Sequence, residues 1–189
     1  MKNAGTCLGI VAAVEVPDGL WDEFLQSMAE NATQDNYQFR LASIQTLGFM
    51  SEFLETCVPK TLQAGQVGQI LHATILNIDA SHPELARIAI KALQRVIPST
   101  ANNFQNKEQR DFIMEGVLRA AQMDDDEVQE EAIKALIEIP EISYEHLGEY
   151  IQQIGTITIN LMSASEKFSQ IRYVLAFWTT LCREEQKRE

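Results

Sequence analysis

Three histidines, three cysteines and one dense acidic run are the side chains in this sequence best suited to chemistry, and their spacing decides what they can do. His72, His82 and His146 are scattered, with no H-E-x-x-H pattern and no Cys/His cluster at metal-ligand spacing. His82 precedes Pro83, where a turn or cap role is expected. No glycine-rich phosphate loop and no G-x-S-x-G nucleophile elbow occurs. The run Asp124-Asp125-Asp126-Glu127, with Glu130 and Glu131, lacks the alternating ligands and loop glycine of a calcium-binding hand. It reads as a solvated loop whose acids favour the N-terminus of the next helix, the alternative being a patch for a basic partner. No catalytic residue, metal site or cofactor is expected, and the chain does not read as an enzyme.

Cys7, Cys57 and Cys182 are odd in number and contain no C-x-x-C pair, so a reducing compartment and three buried structural thiols are expected. The apolar run Leu8 to Val14 after Met1-Lys2 resembles a secretory leader only weakly, being short and closed by Glu15, so secretion is not expected. With no run of about 18 apolar residues, nothing is expected to span a membrane. The formal charge of −12, from 27 acidic and 15 basic residues, opposes a phosphate backbone, so no nucleic-acid partner is expected. An acidic surface serves solubility, and it also steers basic proteins toward itself.

The elements behind these side chains repeat. Ala89-Ile90-Lys91-Ala92-Leu93 recurs as Ala132-Ile133-Lys134-Ala135-Leu136, 43 residues later. That period falls in the range of roughly 40–47 residues of HEAT and armadillo helical hairpins. Leu8, Leu47, Leu93, Leu136 and Phe177 form one series, separated by 39, 46, 43 and 41 residues. Each anchors an amphipathic helix with apolar residues every three to four positions, for example Leu41, Ile44, Leu47 and Met50. Alanines in mid-helix permit close approach of a neighbour. Second helices are read at Leu20 to Asn31, Val67 to Ile78, Glu108 to Met123 and Tyr144 to Met162. Aromatics at 7%, with only 5 prolines, also favour an all-α class over a sandwich or barrel.

The organisation expected is a single array over 1–189: a half repeat at 3–16, then hairpins at 18–57, 62–98, 105–142 and 143–184. In each hairpin a first helix, A, precedes the anchored helix, B. In such α-α superhelices the B helices usually line the concave face. Without polar caps at either end, the array reads as an excerpt from a longer one. Leu71 and Ile75 share a helical face at i, i+4, so a neighbouring Phe112 could complete a shallow apolar notch. By pattern alone, however, the three read more readily as core residues packing A on B.

Particular segments are more specific. Phe112-Ile113-Met114-x-x-Val117 through Ala121-Gln122, Asn103-Phe104 before it, and Thr158-Ile159-x-x-Met162 after Tyr150 resemble the importin-β (karyopherin-β) family. So do Phe177-Trp178-x-x-Leu181-Cys182-x-Glu184-Glu185, Thr46-Leu47-Gly48-Phe49-Met50, and Ile10 to Pro17 followed by Trp21. The resemblance covers nearly the whole chain and implies HEAT repeats 3–7 of a nuclear import receptor. It implies nucleoporin binding through Phe-Gly repeats in grooves between A helices, at Leu71, His72, Ile75, Gln109, Phe112 and Ile113. A second groove would use Tyr150 and Ile157 beside the neighbours of Phe112. The family also implies Ran-GTP and importin-α or cargo as partners of the full-length receptor, with incomplete sites here. Cytoplasm, nuclear pore and nucleus are the implied locations. His72 stands where the family has a small hydroxyl and Gln109 where it has an acid, so the groove rim departs from the family pattern. The competing reading is a HEAT scaffold assembling an enzyme, as in a phosphatase regulatory subunit.

Overall fold

The computed structural model describes residues 2–56, 60–164 and 168–188, and of residues 2, 3 and 164 only the backbone. Cys57 lies outside the described residues. The chain is all-α: α1 (Lys2–Glu15), α2 (Glu23–Ala32), α3 (Tyr37–Thr56), α4 (Ala64–Ile75), α5 (Pro83–Val96), α6 (Ala101–Gln105), α7 (Lys107–Ala120), α8 (Asp126–Ser143), α9 (Ile151–Ala164) and α10 (Phe168–Gln186). Two 3₁₀ turns, Ile97–Ser99 and Tyr144–Glu149, join them.

Local chemistry explains the boundaries. Gly19 adopts φ +69°, the left-handed region that glycine enters without strain, in the turn after α1. Pro83 opens α5, where its missing N–H costs nothing. The Asp125 carboxylate accepts from the amides of Glu127 and Val128 at 3.1 and 3.0 Å, capping α8, while Asp126 and Glu127 fill the first turn. The acidic run is therefore used, in part, to start a helix. Asn106 caps α7 in the same way, accepting from the Gln109 amide. Two features differ from the sequence reading. The short α6 stands where a connector was expected, held by the buried Phe104. The expected helix from Tyr144 is broken into the 3₁₀ turn and α9. Only Leu147 is buried in that turn, Gly148 weakens helix propensity, and Glu149 is engaged by basic side chains of α7.

The helices form two layers. In the B layer, α1 packs on α3, α3 on α5, α5 on α8 and α8 on α10. In the A layer, α2 packs on α4 and α4 on α7, and each A helix packs on the B helix of its own hairpin. The echoed pentapeptides lie on α5 and α8, and Ala89, Ile90, Ala92, Leu93, Ala132, Ile133, Ala135 and Leu136 are all buried, with Lys91 exposed. Close approach is literal at two places. A β-carbon on Gly9 would lie 2.8 Å from Cβ of Phe49, and one on Gly48 would lie 3.2 Å from Cβ of Ala92.

Polar ties follow the same period. Asn77 donates to the Ala32 carbonyl, Arg95 to the Gly48 carbonyl and Arg119 to the Ile75 carbonyl, across 45, 47 and 44 residues of chain. Each unit touches its neighbours in sequence, the organisation of a solenoid.

Cys7 and Cys182 are exposed free thiols, which corrects the expectation that they are buried. They stand on α1 and α10, each of which packs on a single B-layer helix, so part of each helix faces away from the core. Leu8, Ile10, Val11 and Val14 on α1 are exposed for the same reason, as are Phe168 and Leu175 on α10.

The glycines give a paired test. Gly9→Ala forces a methyl into Phe49 and the Met50 amide and is expected to lower stability by about 1–3 kcal/mol. Gly65→Ala, where nothing lies within 4 Å of the new carbon, is expected to raise it by about 0.5–1 kcal/mol. Urea unfolding of the two variants should move the midpoint in opposite directions.

Candidate peptide-binding grooves on the A layer

Helix α4 begins Ala64-Gly65-x-x-Gly68, a spacing that leaves one face of the helix nearly bare of side chains. That bare face floors a groove of about 490 Å³ between α2, α4 and α7. Leu71 and Phe112 form its apolar walls, Ala29 of α2 closes the far side, and His72, Gln69 and Gln109 supply the rim. Leu71 is only 3% exposed, so it offers an edge rather than a whole side chain. Phe112 is half-buried and its ring stacks with His72, centroids 6.1 Å apart and planes at 29°. The Gln109 side chain is positioned by Asn103, whose amide donates to it at 2.9 Å and to the Ala64 carbonyl at 3.1 Å.

Ile75 and Ile113 do not line this groove. Both are buried, and Ile75 sits on Gly116 of α7, where a β-carbon would come within 2.9 Å of its Cγ2. Ile75 holds α4 against α7 from beneath, while Leu71, His72, Gln109 and Phe112 come together above. Ala29, Gly65 and Gly68 are groove residues that sequence reasoning missed. The i, i+3 glycines were the available signal.

Beyond α7 lies a wider cleft of about 700 Å³ that reaches Tyr150 and α9. Leu118, Met123 and Tyr150 provide its apolar surface, and Asp111, Glu115, Arg119 and Asp124 its charges. Tyr150 is thus on a groove wall, whereas Ile157 is 5% exposed and is not among the lining residues. The joint between α7 and the 3₁₀ turn is polar. The Tyr150 hydroxyl donates to Asp111, Lys107 bridges Asp111 at 3.2 Å and Glu149 at 2.8 Å, and Arg110 reaches Glu149 at 3.2 Å. The Tyr150 hydrogen bond, followed by Lys107, holds the Asp111 carboxyl below its usual range despite some desolvation. The Lys107 hydrogen bond does the same for Glu149. Burial, then the bond to Asp111, pushes the Tyr150 phenol up.

Among the described residues no group of three His, Cys, Asp or Glu side chains is placed to hold a metal ion, and no helix is long and apolar enough to cross a membrane. His82 stacks on Tyr37 and its imidazole lies 3.0 Å from the Ser81 hydroxyl in the turn before α5. The surfaces available for recognition are apolar notches between helices, which suit a short peptide bearing a large side chain.

No family model matches the chain. It is 27% identical over 186 residues to importin subunit beta-1 of Arabidopsis thaliana, a match covering 97% of the chain and 21% of that relative. Importin subunit beta-1 of Saccharomyces cerevisiae is likewise 27% identical, over 187 residues, covering 96% of the chain and 21% of the relative. The solved Kap95–Nup1 complex matches with a TM-score of 0.84 and 25% identity, over 98% of this chain and 22% of that one. A further solved structure, in which Kap95p binding induces the switch loops of RanGDP to adopt the GTP-bound conformation, matches with a TM-score of 0.75 and 26% identity, over 94% and 20%. The chain therefore resembles a segment of importin-β, a HEAT-repeat solenoid, over almost all of its length, and spans about a fifth of the curated relatives it matches.

Tyr150→Phe isolates the polar joint. Asp111 is expected to titrate nearer the ordinary aspartate value of about 3.9 once the hydroxyl is gone. A depressed carboxylate stabilises the fold above its unfolded pKa, and that stability is lost as pH falls through the folded value. The variant should accordingly show a weaker loss of stability on acidification. Carboxyl titration by NMR and thermal melts between pH 6 and roughly 3 would check both.

Proposed function

We propose that this chain is a stretch of a nuclear transport receptor and that its A-layer groove binds Phe-Gly segments of nucleoporins. The observation that carries the reading is the groove itself. An open floor at Gly65 and Gly68 runs between Leu71 and Phe112, on a chain whose solved neighbour Kap95 is in complex with Nup1. A phenyl ring laid against Leu71 and Phe112 removes apolar surface from water, and full burial of such a side chain is worth roughly 1.5–3 kcal/mol. Ring stacking on Phe112 adds a preference for an aromatic over an aliphatic guest. Glycine next to the ring suits a floor built from backbone, because a larger neighbour would meet the α4 helix.

One such contact is weak and releases quickly. Many tethered repeats meeting several grooves gain avidity through effective concentration, which gives retention without arrest. The α7–α9 cleft at Tyr150 is the second contact point in this reading. Ile75, Ile113 and Ile157 serve the site by fixing the helices that frame it. Residues 1–189 act as one array, and its place of work is the nuclear pore and the compartments on either side. Ran, importin-α and cargo are partners of the whole receptor. The neighbour solved with Ran supports the first of these.

Gly68→Leu tests the reading without disturbing the core. A β-carbon at Gly68 meets only the Asn103 amide nitrogen, at 3.9 Å, and leucine favours a helix where glycine does not. The side chain would fill the groove floor. Titration of a Phe-Gly repeat peptide by fluorescence polarisation should show at least roughly tenfold weaker binding than to the wild type, with melting temperature unchanged or raised. Equal binding by both proteins would remove the groove from the site, and absence of binding to the wild type would favour the scaffold reading.

A further inference from the structure

The two grooves flank the same helix but differ in charge. Around the α4 groove no lining residue is a carboxylate, a lysine or an arginine. The α7–α9 cleft carries three carboxylates, Asp111, Glu115 and Asp124, against one guanidinium, Arg119. That guanidinium is already committed, donating to the Ile75 carbonyl at 2.9 Å and lying 4.0 Å from Glu115. Asp111 is shared with Lys107 and Tyr150. Glu115 is 74% exposed, and Asp124 is exposed with no ion pair or hydrogen bond among the described residues. The cleft is therefore anionic over an apolar floor of Leu118, Met123 and Tyr150, and the whole chain reinforces it with a formal charge of −12.

We infer that the α7–α9 cleft receives a lysine or arginine of the same peptide whose aromatic ring occupies the neutral groove. The inference rests on the peptide-binding reading of that groove and adds a second, charged determinant to it. An aliphatic stem lies along Leu118 and Met123 while its cationic head reaches Glu115 and Asp124, the arrangement long basic side chains adopt at apolar surfaces. The two sites are one helix apart. Packed helices stand roughly 8–10 Å from axis to axis, and an extended chain advances about 3.3 Å per residue. The basic residue accordingly falls about two or three positions from the aromatic one.

Two peptides test this, each with one Phe-Gly unit and either arginine or glutamine placed two and three residues away on both sides. On the wild-type chain at low salt, the arginine peptide is expected to bind roughly three- to tenfold more tightly, as exposed ion pairs allow. In Glu115→Gln/Asp124→Asn the ratio should collapse toward one while the glutamine peptide keeps its affinity. Raising salt to about 1 M, where the screening length is near 3 Å, should collapse it as well. Equal affinities on the wild type, or a ratio that survives the double substitution, would overturn the inference. The glutamine peptide and its loss in Gly68→Leu report on the neutral groove separately. Failure of the charged site with an intact groove is thus distinct from failure of both peptides to bind, which overturns the proposed function too.

Discussion

Close contact between successive B helices is the constraint from which the rest of this molecule follows. A helix pair can approach only as near as its largest interfacial side chains allow, and here those positions are small. Gly9 meets the backbone of Met50, Gly48 meets Ala92, and the alanines of the two echoed pentapeptides are buried on α5 and α8. Larger anchors beside them, Leu47, Leu93, Leu136 and Phe177, are buried in the core. Because each B helix packs, among the described residues, chiefly on the B helices before and after it, the period of the sequence becomes the period of the structure. The polar ties obey the same rule, with Lys60, Asn77, Arg87, Arg95, Arg110 and Arg119 each reaching a partner about one repeat away.

The A helices are held by this frame from one side and are freer on the other. Where a bulky residue meets glycine, as Ile75 meets Gly116, neighbouring A helices are drawn together at depth. Where the facing residues are themselves small, as at Gly65 and Gly68, the surface opens into a groove. Between α7 and α9 the link is polar, through Tyr150, Asp111, Lys107 and Glu149, and a wider cleft results. Hydrogen bonds and exposed ion pairs of this kind fix geometry more than they stabilise. The A layer thus carries depressions between its helices, at α4 and between α7 and α9.

Electrostatics sort those depressions. An excess of acids over bases favours solubility and long-range attraction of basic molecules, and the local distribution decides what happens at contact. The α4 groove is neutral, with His72 over Phe112 at its rim. Elsewhere acids accumulate, as where Glu138, facing Glu141 and Glu55, has its carboxyl pushed up by burial and by those neighbours. On the proposed reading, a surface that mixes neutral aromatic notches with anionic ones would discriminate between peptides that a uniformly apolar surface would treat alike.

Much of this was legible in the residue order. The 43-residue echo and its anchors specify helix, class and repeat, because a solenoid writes its contacts into a local period. The grouping of Leu71, His72, Gln109 and Phe112 followed from the family resemblance, and composition alone could not have separated it from core packing. The depth of each side chain was decided only by tertiary structure. Ile75 and Leu71 share a helical face in sequence, yet a glycine on α7 admits the first into the core and leaves the edge of the second on the groove. Cys7 and Cys182 look like core thiols by type and are exposed, since exposure depends on whether a neighbouring helix covers that face. The break before α9 likewise reflects Glu149 bonding to Lys107 and Arg110 of another helix. Period is a property of one chain segment, whereas burial and charge environment belong to pairs of segments, and only the packed helices bring those pairs together.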